Sequence, residues 1–369
     1  MLHGNAFGQF LYEPGERHRT GGFATRQFGS VNWGMAMARR QAGKARVGLR
    51  TMVSLEPWTV PGCGYLSFLA TGEMCEGDTI HDRQHPHDLF MELAFDYDRP
   101  AGGSLRWQVY GGLAGEPALG PPGFPHRLSA MLNPIAPIAH HSLDATHITF
   151  GLITGAVYDW HWKAEASIFN GREPDEHRLD LDPAPLDSFS GRFTILPADQ
   201  FVVQVSAGHL TDAEAEFPPQ PRSSVQRATV SVMHHAEIGG GGFWATTLGY
   251  GLNSAREVAL DVFRATTHAL MLESTLMIRE RHTWFGRLEI VGKTAHDLHA
   301  HEFPSSVFTV GKLQAGYVRE LKSWSAATAG IGGMVSVSIV PPELAPRYGG
   351  RLAPGFGVFL NLRPSRHVM

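Results

Sequence analysis

The sequence predicts a transmembrane antiparallel β-barrel, and three observations support this all-β fold class. Strand-like runs of about ten residues follow one another along the whole chain, and the gaps between them alternate between short and long. No apolar run is long enough to form a membrane helix. Barrels of bacterial outer membranes have this layout, with short periplasmic turns at one rim and long extracellular loops at the other. We therefore expect function to reside in the lumen and the loops.

The short connections carry Gly, Pro and Asp residues, which supply the backbone angles of tight turns. There are seven of them: Gln41–Lys44, Arg99–Gly103, Tyr158–Asp159, Pro197–Asp199, Gly239–Gly241, Glu280–His282 and Lys322–Ser323. The eight long gaps lie near 14–27, 57–88, 114–145, 172–187, 210–223, 252–265, 294–306 and 340–354. This alternation predicts about 16 strands, with both chain ends on the short-turn side, in a single barrel domain spanning residues 1–369.

Apolar and polar residues alternate within single runs, which is the signature of strands. In the run 160–168, Trp160 and Ile168 share the face expected to contact lipid, whereas Lys163 and Glu165 share the face expected to contact water. A second set is predicted to share one face of its strand: Leu89, Met91, Leu93, Phe95 and Tyr97. Aromatic residues near the run ends predict interfacial girdles: Trp107, Tyr110, Trp160, Trp162, Trp244, Tyr250, Trp284, Tyr317 and Trp324.

Composition excludes several other classes. A mean hydropathy of -0.13 is too polar for a helical membrane protein. The net charge of -4, without a basic patch, argues against a nucleic-acid partner. A soluble β-sandwich or propeller is the competing fold, but the long loops lie on one side only and no repeat of blade length occurs. Because an outer-membrane protein must be exported and no export signal opens the sequence, we expect a mature or trimmed form.

The polar strand faces predict a lumen lined by charges of both signs. The residues are Arg46, Arg50, Glu92, Asp96, Arg106, Lys163, Glu165, Arg192, Arg227, Glu273, Arg287, Glu289 and Lys312. Pairing between neighbouring strands would stabilise the wall, and we favour this role for most of them. A transverse field that selects solutes is compatible with it. Cys63 and Cys75 lie in one predicted loop of an exported protein, so we expect a disulfide.

The 20 histidines are concentrated in the long gaps. The candidate metal ligands are His81, His85, His87, Asp88, His126, His140, His141, Asp144 and His147. His177 and the series His296, His299 and His301 extend the pattern to two further gaps. Imidazole with carboxylate suits Cu, Zn or Fe, and Met74 and Met131 would favour Cu(I). The spacing matches no known metal signature, and each histidine taken alone is better explained by a structural role.

Two enzymatic interpretations also have the required residue types. A metal-dependent hydrolase would use His85, His87 and His140, with Glu116 as its base. A lipase-like Ser–His pair would come from His140-His141-Ser142 with Asp144, although adjacent residues rarely reach hydrogen-bonding geometry.

Four motifs resemble a family of uncharacterised outer-membrane β-barrel proteins of Gram-negative bacteria. They are Arg83-Gln84-His85-Pro86-His87-Asp88, Gly115-Glu116-Pro117-Ala118-Leu119-Gly120-Pro121, His126-Arg127-Leu128-Ser129-Ala130-Met131 and Asn170-Gly171-Arg172-Glu173-Pro174-Asp175-Glu176-His177. The resemblance covers essentially the whole chain. It implies the barrel, the outer-membrane location and a loose association with copper and heavy-metal handling, without an established activity.

The sequence thus predicts a porin-like channel or binding protein for a small polar solute or transition-metal ion, with His-rich loops folding over the pore. A non-selective diffusion porin with incidental histidines is the first alternative, and the metal-dependent hydrolase is the second. Expected partners are outer-membrane lipid, the solute or ion, and either two further copies in a homotrimer or a periplasmic protein.

Overall fold

The structure, a computed structural model, describes residues 1–14, 25–214, 223–256, 264–300, 302–303 and 306–365. Its strands are β1 (Leu2–Tyr12), β2 (Arg26–Ala42), β3 (Ala45–Val53), β4 (Tyr65–Cys75), β5 (Asp78–Gln84), β6 (Phe90–Gly102), β7 (Leu105–Ala114), β8 (Leu152–Tyr158), β9 (Trp162–Phe169), β10 (Ser188–Ala198), β11 (Phe201–Glu214), β12 (Ser223–Ile238), β13 (Gly242–Arg256), β14 (Arg264–Ile278), β15 (His282–Thr294), β16 (Val307–Ser323), β17 (Ala327–Ile339) and β18 (Leu352–Pro364). The described α-helices are one turn long: α1 (Glu56–Thr59), α2 (His140–Leu143) and α3 (Ala345–Tyr348). Short 3₁₀ segments are Phe124–His126, Ala145–His147 and Pro342–Leu344. None of the helices in these ranges is long and apolar enough to cross a membrane.

Sixteen antiparallel strands close into a barrel, while β4 and β5 form a separate hairpin. Closure joins the first strand to the last, with Ala6 opposite Leu362 and Tyr12 opposite Phe356. All seven predicted short turns connect neighbouring barrel strands, and both β1 and β18 reach the short-turn rim. The predicted fold and strand number are therefore confirmed.

The outer wall is apolar, as lipid contact requires. Along β18, the exposed fractions of Phe356, Val358, Leu360 and Leu362 are 43%, 51%, 60% and 50%, whereas Asn361 is buried. The same alternation holds around β9, where Trp160 and Ile168 are exposed and Ser167 is buried.

Met91 breaks the predicted alternation along its strand. Met52 pairs with Glu92 but Val53 pairs with Phe90, so the register between β3 and β6 shifts at Met91. A bulge of this kind re-aims one side chain. Met91 is therefore buried inside the barrel together with Glu92, and its assignment to the same face as Phe95 is wrong.

Tyr110 is also misplaced in the predicted aromatic girdle. Its hydroxyl lies inside the barrel and donates to Glu92 Oε1 at 2.6 Å. A phenol can satisfy its polar end in a lumen as well as at an interface, so the strand-end position alone did not decide its side.

The bore is not uniformly polar, although the polar strand faces predict a lumen lined by charges. The β4–β5 hairpin and the segment 115–151 fold inward, and their apolar side chains pack against inward-facing wall residues. One cluster joins Phe68, Leu69, Ile138 and Leu143 to Met271, Val291, Phe308 and Val310. A second joins Tyr65, Leu66, Leu132 and Ile135 to Phe243, Phe285 and Phe359. Apolar loop residues that would otherwise face water are buried in this way.

A disulfide joins Cys63, which precedes β4, to Cys75, the last residue of β4. We expect a thiol-alkylating reagent to label neither cysteine in unfolded protein unless reductant is added, when both are labelled. Mass spectrometry of the intact chain measures this, and labelling without reductant would contradict the pairing.

Candidate functional site

A buried ionic network holds the segment 115–151 against the barrel wall. Arg127 Nε donates to Glu273 Oε1 at 2.6 Å, and Arg127 also forms an ion pair with Asp144 on the same segment. Arg287 Nε donates to the second carboxylate oxygen of Glu273 at 3.0 Å. All four side chains are at most 1% exposed. Glu273 on β14 is thus shared between a loop arginine and a wall arginine.

The electrostatics of the segment follow from this pairing. Burial alone would lower the pKa of Arg127, but Glu273 and Asp144 raise it above its ordinary value. Burial opposes ionisation of Asp144, yet Arg127 and His140 lower its pKa well below the usual range. Both groups therefore remain charged at any physiological pH.

Further hydrogen bonds fasten the segment to several strands. Thr275 Oγ1 donates to the Ser129 carbonyl at 2.7 Å, the Ala139 amide donates to Glu289 Oε1 at 2.9 Å, and Asn5 Nδ2 donates to the Met131 carbonyl at 2.6 Å. These contacts reach β14, β15 and β1, so the segment crosses the bore rather than lying along one wall.

The β4–β5 hairpin is fastened by its own polar anchors. Lys312 Nζ donates to Ser67 Oγ at 3.0 Å and to the Phe68 carbonyl at 3.1 Å. Asp82 accepts from the Leu69 amide at 2.8 Å and from the Tyr348 hydroxyl at 3.0 Å. The hairpin and the segment 115–151 meet where the Ala136 amide donates to the Tyr65 hydroxyl at 3.0 Å.

Five of the predicted metal ligands come together inside the barrel: His85, His87, His140, His141 and His147. We call them the histidine cluster. The ring centroids of His140 and His147 are 5.1 Å apart, those of His87 and His147 are 5.4 Å apart, and those of His85 and His140 are 6.3 Å apart. His141 adjoins His140 at 5.6 Å. Phe124 packs against three of these rings at 5.6–5.7 Å.

The Nδ1 atom of each cluster ring is directed at an oxygen acceptor. His87 faces Glu56 Oε1 at 3.0 Å, His140 faces Asp144 Oδ1 at 2.9 Å, and His147 faces the Asp144 carbonyl at 2.9 Å. His141 Nδ1 lies 2.9 Å from Glu173 Oε1, and His85 Nδ1 lies 3.3 Å from the Pro86 carbonyl. When Nδ1 carries the proton, Nε2 of the same ring has a lone pair that can accept a hydrogen bond or bind a metal ion.

Burial favours the neutral form of His85, His140 and His147. It lowers the pKa of His85 and His147 well below the ordinary value, and it lowers the pKa of His140 despite the opposing effect of Asp144. His147 Nε2 is buried and has no hydrogen-bond partner in the described part of the chain. Neutral imidazoles of this kind are the form that binds metal ions.

Of the four other predicted ligands, Asp144 lies beside His140, and the remaining three lie elsewhere. His81 stacks on His299 with ring centroids 3.9 Å apart. Asp88 lies 3.4 Å from Arg178, and burial raises its pKa to about 6. His126 packs edge-on against Trp33 at 5.6 Å. The nine predicted ligands therefore do not all meet at one place, because His81, Asp88 and His126 contact residues of different elements.

Other residues named from the sequence also separate. The His177 side chain is 73% exposed and pairs with Asp175. Glu116 lies within 4.0 Å of His126 and Arg192 rather than beside the histidine cluster. His301 and the side chain of Met74 lie outside the described residues. Among those that are described, the single group of three ligand atoms within 4.8 Å of one another is Asp175, Asp180 and Asp182, and the imidazoles form no such group.

A cavity of about 1190 Å³ occupies the short-turn half of the barrel; we call it the vestibule. The segment 115–151 bounds it through Glu116, His126 and His147, and the turn Gly239–Gly241 lines its other end. Trp33, Met35, Met37, Met52 and Met91 also line it. These methionines are not among the predicted lumen residues, although the spacing of two between Trp33, Met35 and Met37 along β2 indicates an inward face.

The thirteen charged residues predicted to line the lumen are mostly paired. Arg46 and Arg106 bind Asp98, Arg50 binds Glu92, Lys163 and Arg192 bind Glu165, and Arg39 approaches Asp96. Arg287 binds Glu273, and Lys312 lies 3.4 Å from Glu13. Arg227 donates to Asn253, and Glu289 accepts the Ala139 amide. Pairing between neighbouring strands, which was favoured for most of them, describes the pairs of Arg46, Arg50, Arg106, Arg192 and Arg287, whereas Lys163 pairs within its own strand.

Comparisons with known proteins identify the architecture. No family model matches the sequence, and no curated protein matches it. Among solved structures, a loop L8 deletion mutant of OmpT from Vibrio cholerae shares 8% identity and covers 98% of each chain, with a TM-score of 0.56. Salmonella typhi OmpF, solved in complex with daunomycin, also shares 8% identity, covers 98% of this chain and 97% of its own, and has a TM-score of 0.56.

The chain has a porin-like outer-membrane barrel fold. An in-vitro folded OmpT in trimer form adds a third match, at 8% identity, 98% and 99% coverage and a TM-score of 0.51. These proteins are outer-membrane proteins, and the apolar outer wall of this porin-like barrel agrees with a location in the bacterial outer membrane.

Replacing Arg127 with Met tests the ionic network. The change leaves Glu273 and Asp144 short of a partner in a buried site, so we expect the free energy of unfolding to fall by about 3–5 kcal/mol. Denaturant unfolding in detergent measures it. Arg172→Met is the control, because its pair with Asp212 is more than one-third exposed and is worth at most about 1 kcal/mol. Equal losses in both variants would contradict a central role for Arg127.

The Glu116 carboxyl is expected to make the charge of the vestibule depend on pH. Burial raises its pKa to about 7, against the opposing effects of Arg192 and Arg50, while Glu92 raises it further and His126 lies beside it. Below pH 7 the carboxyl gains a proton and the vestibule becomes more positive. If ions pass the vestibule, we expect reversal potentials in planar bilayers to shift toward anion selectivity as the pH falls from about 8 to about 6, through the Glu116 pKa of about 7.

Glu116→Gln supplies the comparison for that experiment. The neutral amide should hold the selectivity at its low-pH value throughout. If the selectivity of the Glu116→Gln variant still changes with pH, the pH dependence belongs to another group.

Proposed function

We propose that this porin-like barrel is an outer-membrane channel or binding protein that binds a transition-metal ion at the histidine cluster. The observation that carries the proposal is the meeting of imidazoles from two separate loops in a buried site inside the barrel. The ring centroids of His140 and His147 are 5.1 Å apart and those of His87 and His147 are 5.4 Å apart, and we infer that side-chain rotation brings these three rings onto one ion.

The surroundings of the rings support this function. Histidines that bind metals usually donate their other ring nitrogen to a carboxylate or a backbone carbonyl, which fixes the ring and its tautomer. Glu56, Asp144 and the Asp144 carbonyl have these roles toward His87, His140 and His147. The orphaned Nε2 of His147 is the group that an ion would satisfy. Imidazole donors fit Cu, Zn or Fe, and Irving–Williams order favours Cu(II) among the divalent ions.

A non-selective diffusion porin is the competing function. Such a pore needs a wide aqueous passage, whereas the β4–β5 hairpin and the segment 115–151 fill the loop half of this barrel with apolar side chains. That packing favours a restricted path with a binding step. We also propose a homotrimer, on the ground that one similar structure is described as a trimer form.

Metal titration tests the proposed site. We expect the purified, metal-stripped protein to bind about one equivalent of Cu(II) or Zn(II), and His140→Ala combined with His147→Ala to weaken binding at least about a hundredfold, since loss of supporting contacts alone costs 10–100-fold. Isothermal titration calorimetry and metal analysis measure affinity and stoichiometry.

His177→Ala is the matched control, because this histidine is exposed and pairs only locally with Asp175. It should leave binding unchanged. Full-stoichiometry binding in the double variant, or none in the unmodified protein, would overturn the proposal and leave the diffusion porin as the better function.

A further inference from the structure

The vestibule has a distinctly apolar sector. Met35 and Met37 on β2, Met52 on β3 and Met91 on β6 line it side by side, together with Trp33. Methionine is unbranched and polarisable, so methionine-lined surfaces adapt to ligands of varied shape. A wet passage for small polar solutes does not require such a sector, whereas the apolar body of an organic molecule does.

The adjoining wall is charged, and the two partners of an ion pair there differ in how far they are exposed. In two ion pairs of the vestibule wall the cation is the more exposed partner. Exposed side-chain fractions are 30% for Arg50 against 6% for Glu92, and 33% for Lys163 against 5% for Glu165. At these two pairs the vestibule wall therefore presents the cation rather than the carboxylate.

The same arrangement continues toward the short-turn rim. The exposed side-chain fraction is 59% for Arg39 against 3% for its partner Asp96. It is 45% for Arg46 against 4% for its partner Asp98. Both arginines lie near the turn between β2 and β3. Exposed cations along an entrance attract anions and raise their local concentration.

We propose that the vestibule binds an amphipathic organic anion, which enters from the short-turn, periplasmic rim. Its apolar body lies on the methionines and Trp33, and its acidic head contacts Lys163 and Arg50. The volume of about 1190 Å³ is at the upper end of small-molecule sites, so a ligand of drug size fits. This inference is independent of metal binding at the histidine cluster.

Calorimetric titration of the full chain in uncharged detergent tests the site, with empty micelles as the blank. Naphthalene-2-sulfonate is the probe, the trimethylammonium analogue (2-naphthylmethyl)trimethylammonium reverses its charge, and methanesulfonate lacks its apolar body. We expect one equivalent of the sulfonate to bind, and both comparison compounds to bind at least about tenfold more weakly, as loss of one charge-assisted contact or of a buried ring implies.

Two variants localise the binding. Lys163→Gln should weaken naphthalene-2-sulfonate about tenfold by removing an exposed cation, while Glu165 keeps Arg192 as its partner. Met37→Gln should weaken it through the apolar sector. Lys44→Gln, which makes the same charge change in the exposed turn between β2 and β3, should have no effect.

The outcomes are distinct. Equal or tighter binding of the ammonium compound, heat no greater than the micelle blank, or the same affinity in all three variants would each overturn the inference. Dodecanoate then distinguishes the source of the ligand: tighter binding of dodecanoate assigns the site to a lipid-derived acid, and tighter binding of the sulfonate assigns it to a compact soluble anion. Retention of binding in the His140 and His147 double variant separates this result from the metal proposal.

Discussion

The arrangement of the lumen depends on one buried carboxylate, Glu273, which two arginines share. Arg127 comes from the inward segment and Arg287 from the neighbouring strand β15. Buried ion pairs add little net stability, because desolvation offsets most of the attraction, but an unpaired member would be costly. The network therefore acts chiefly by making other positions of the segment 115–151 unfavourable. The histidine cluster and the vestibule both include residues of this segment, so their geometry depends on where it is held.

Fixing this segment divides the bore into two halves with different chemistry. On the loop side, the segment and the β4–β5 hairpin pack apolar side chains against the inner wall. On the short-turn side, the vestibule remains open and is lined by methionines and paired charges. His147 belongs to both halves, since it lines the vestibule and also packs against His87 and His140. The histidine cluster thus lies at the closed end of the vestibule.

The barrel itself could be predicted from the sequence because a period of two and alternating turn lengths are local properties. The same local reasoning failed at Met91, where a register shift against β3 turns the side chain inward, and at Tyr110, whose hydroxyl found Glu92 in the lumen. Five of the nine candidate metal ligands meet in the histidine cluster, and their role in binding a metal remains a prediction. His81 and His126 lie apart from the cluster because their contacts to His299 and Trp33 come from other elements.

By itself, the sequence determined the strand number, the lipid-facing pattern and the residue types available in the lumen, since each follows from spacing along the chain. The tertiary structure decided how far the loops enter the barrel and which wall residues hold them there. Those outcomes depend on contacts between residues more than a hundred positions apart, such as Arg127 with Glu273. No periodicity encodes them, because they arise only when closure brings distant strands around the same loop.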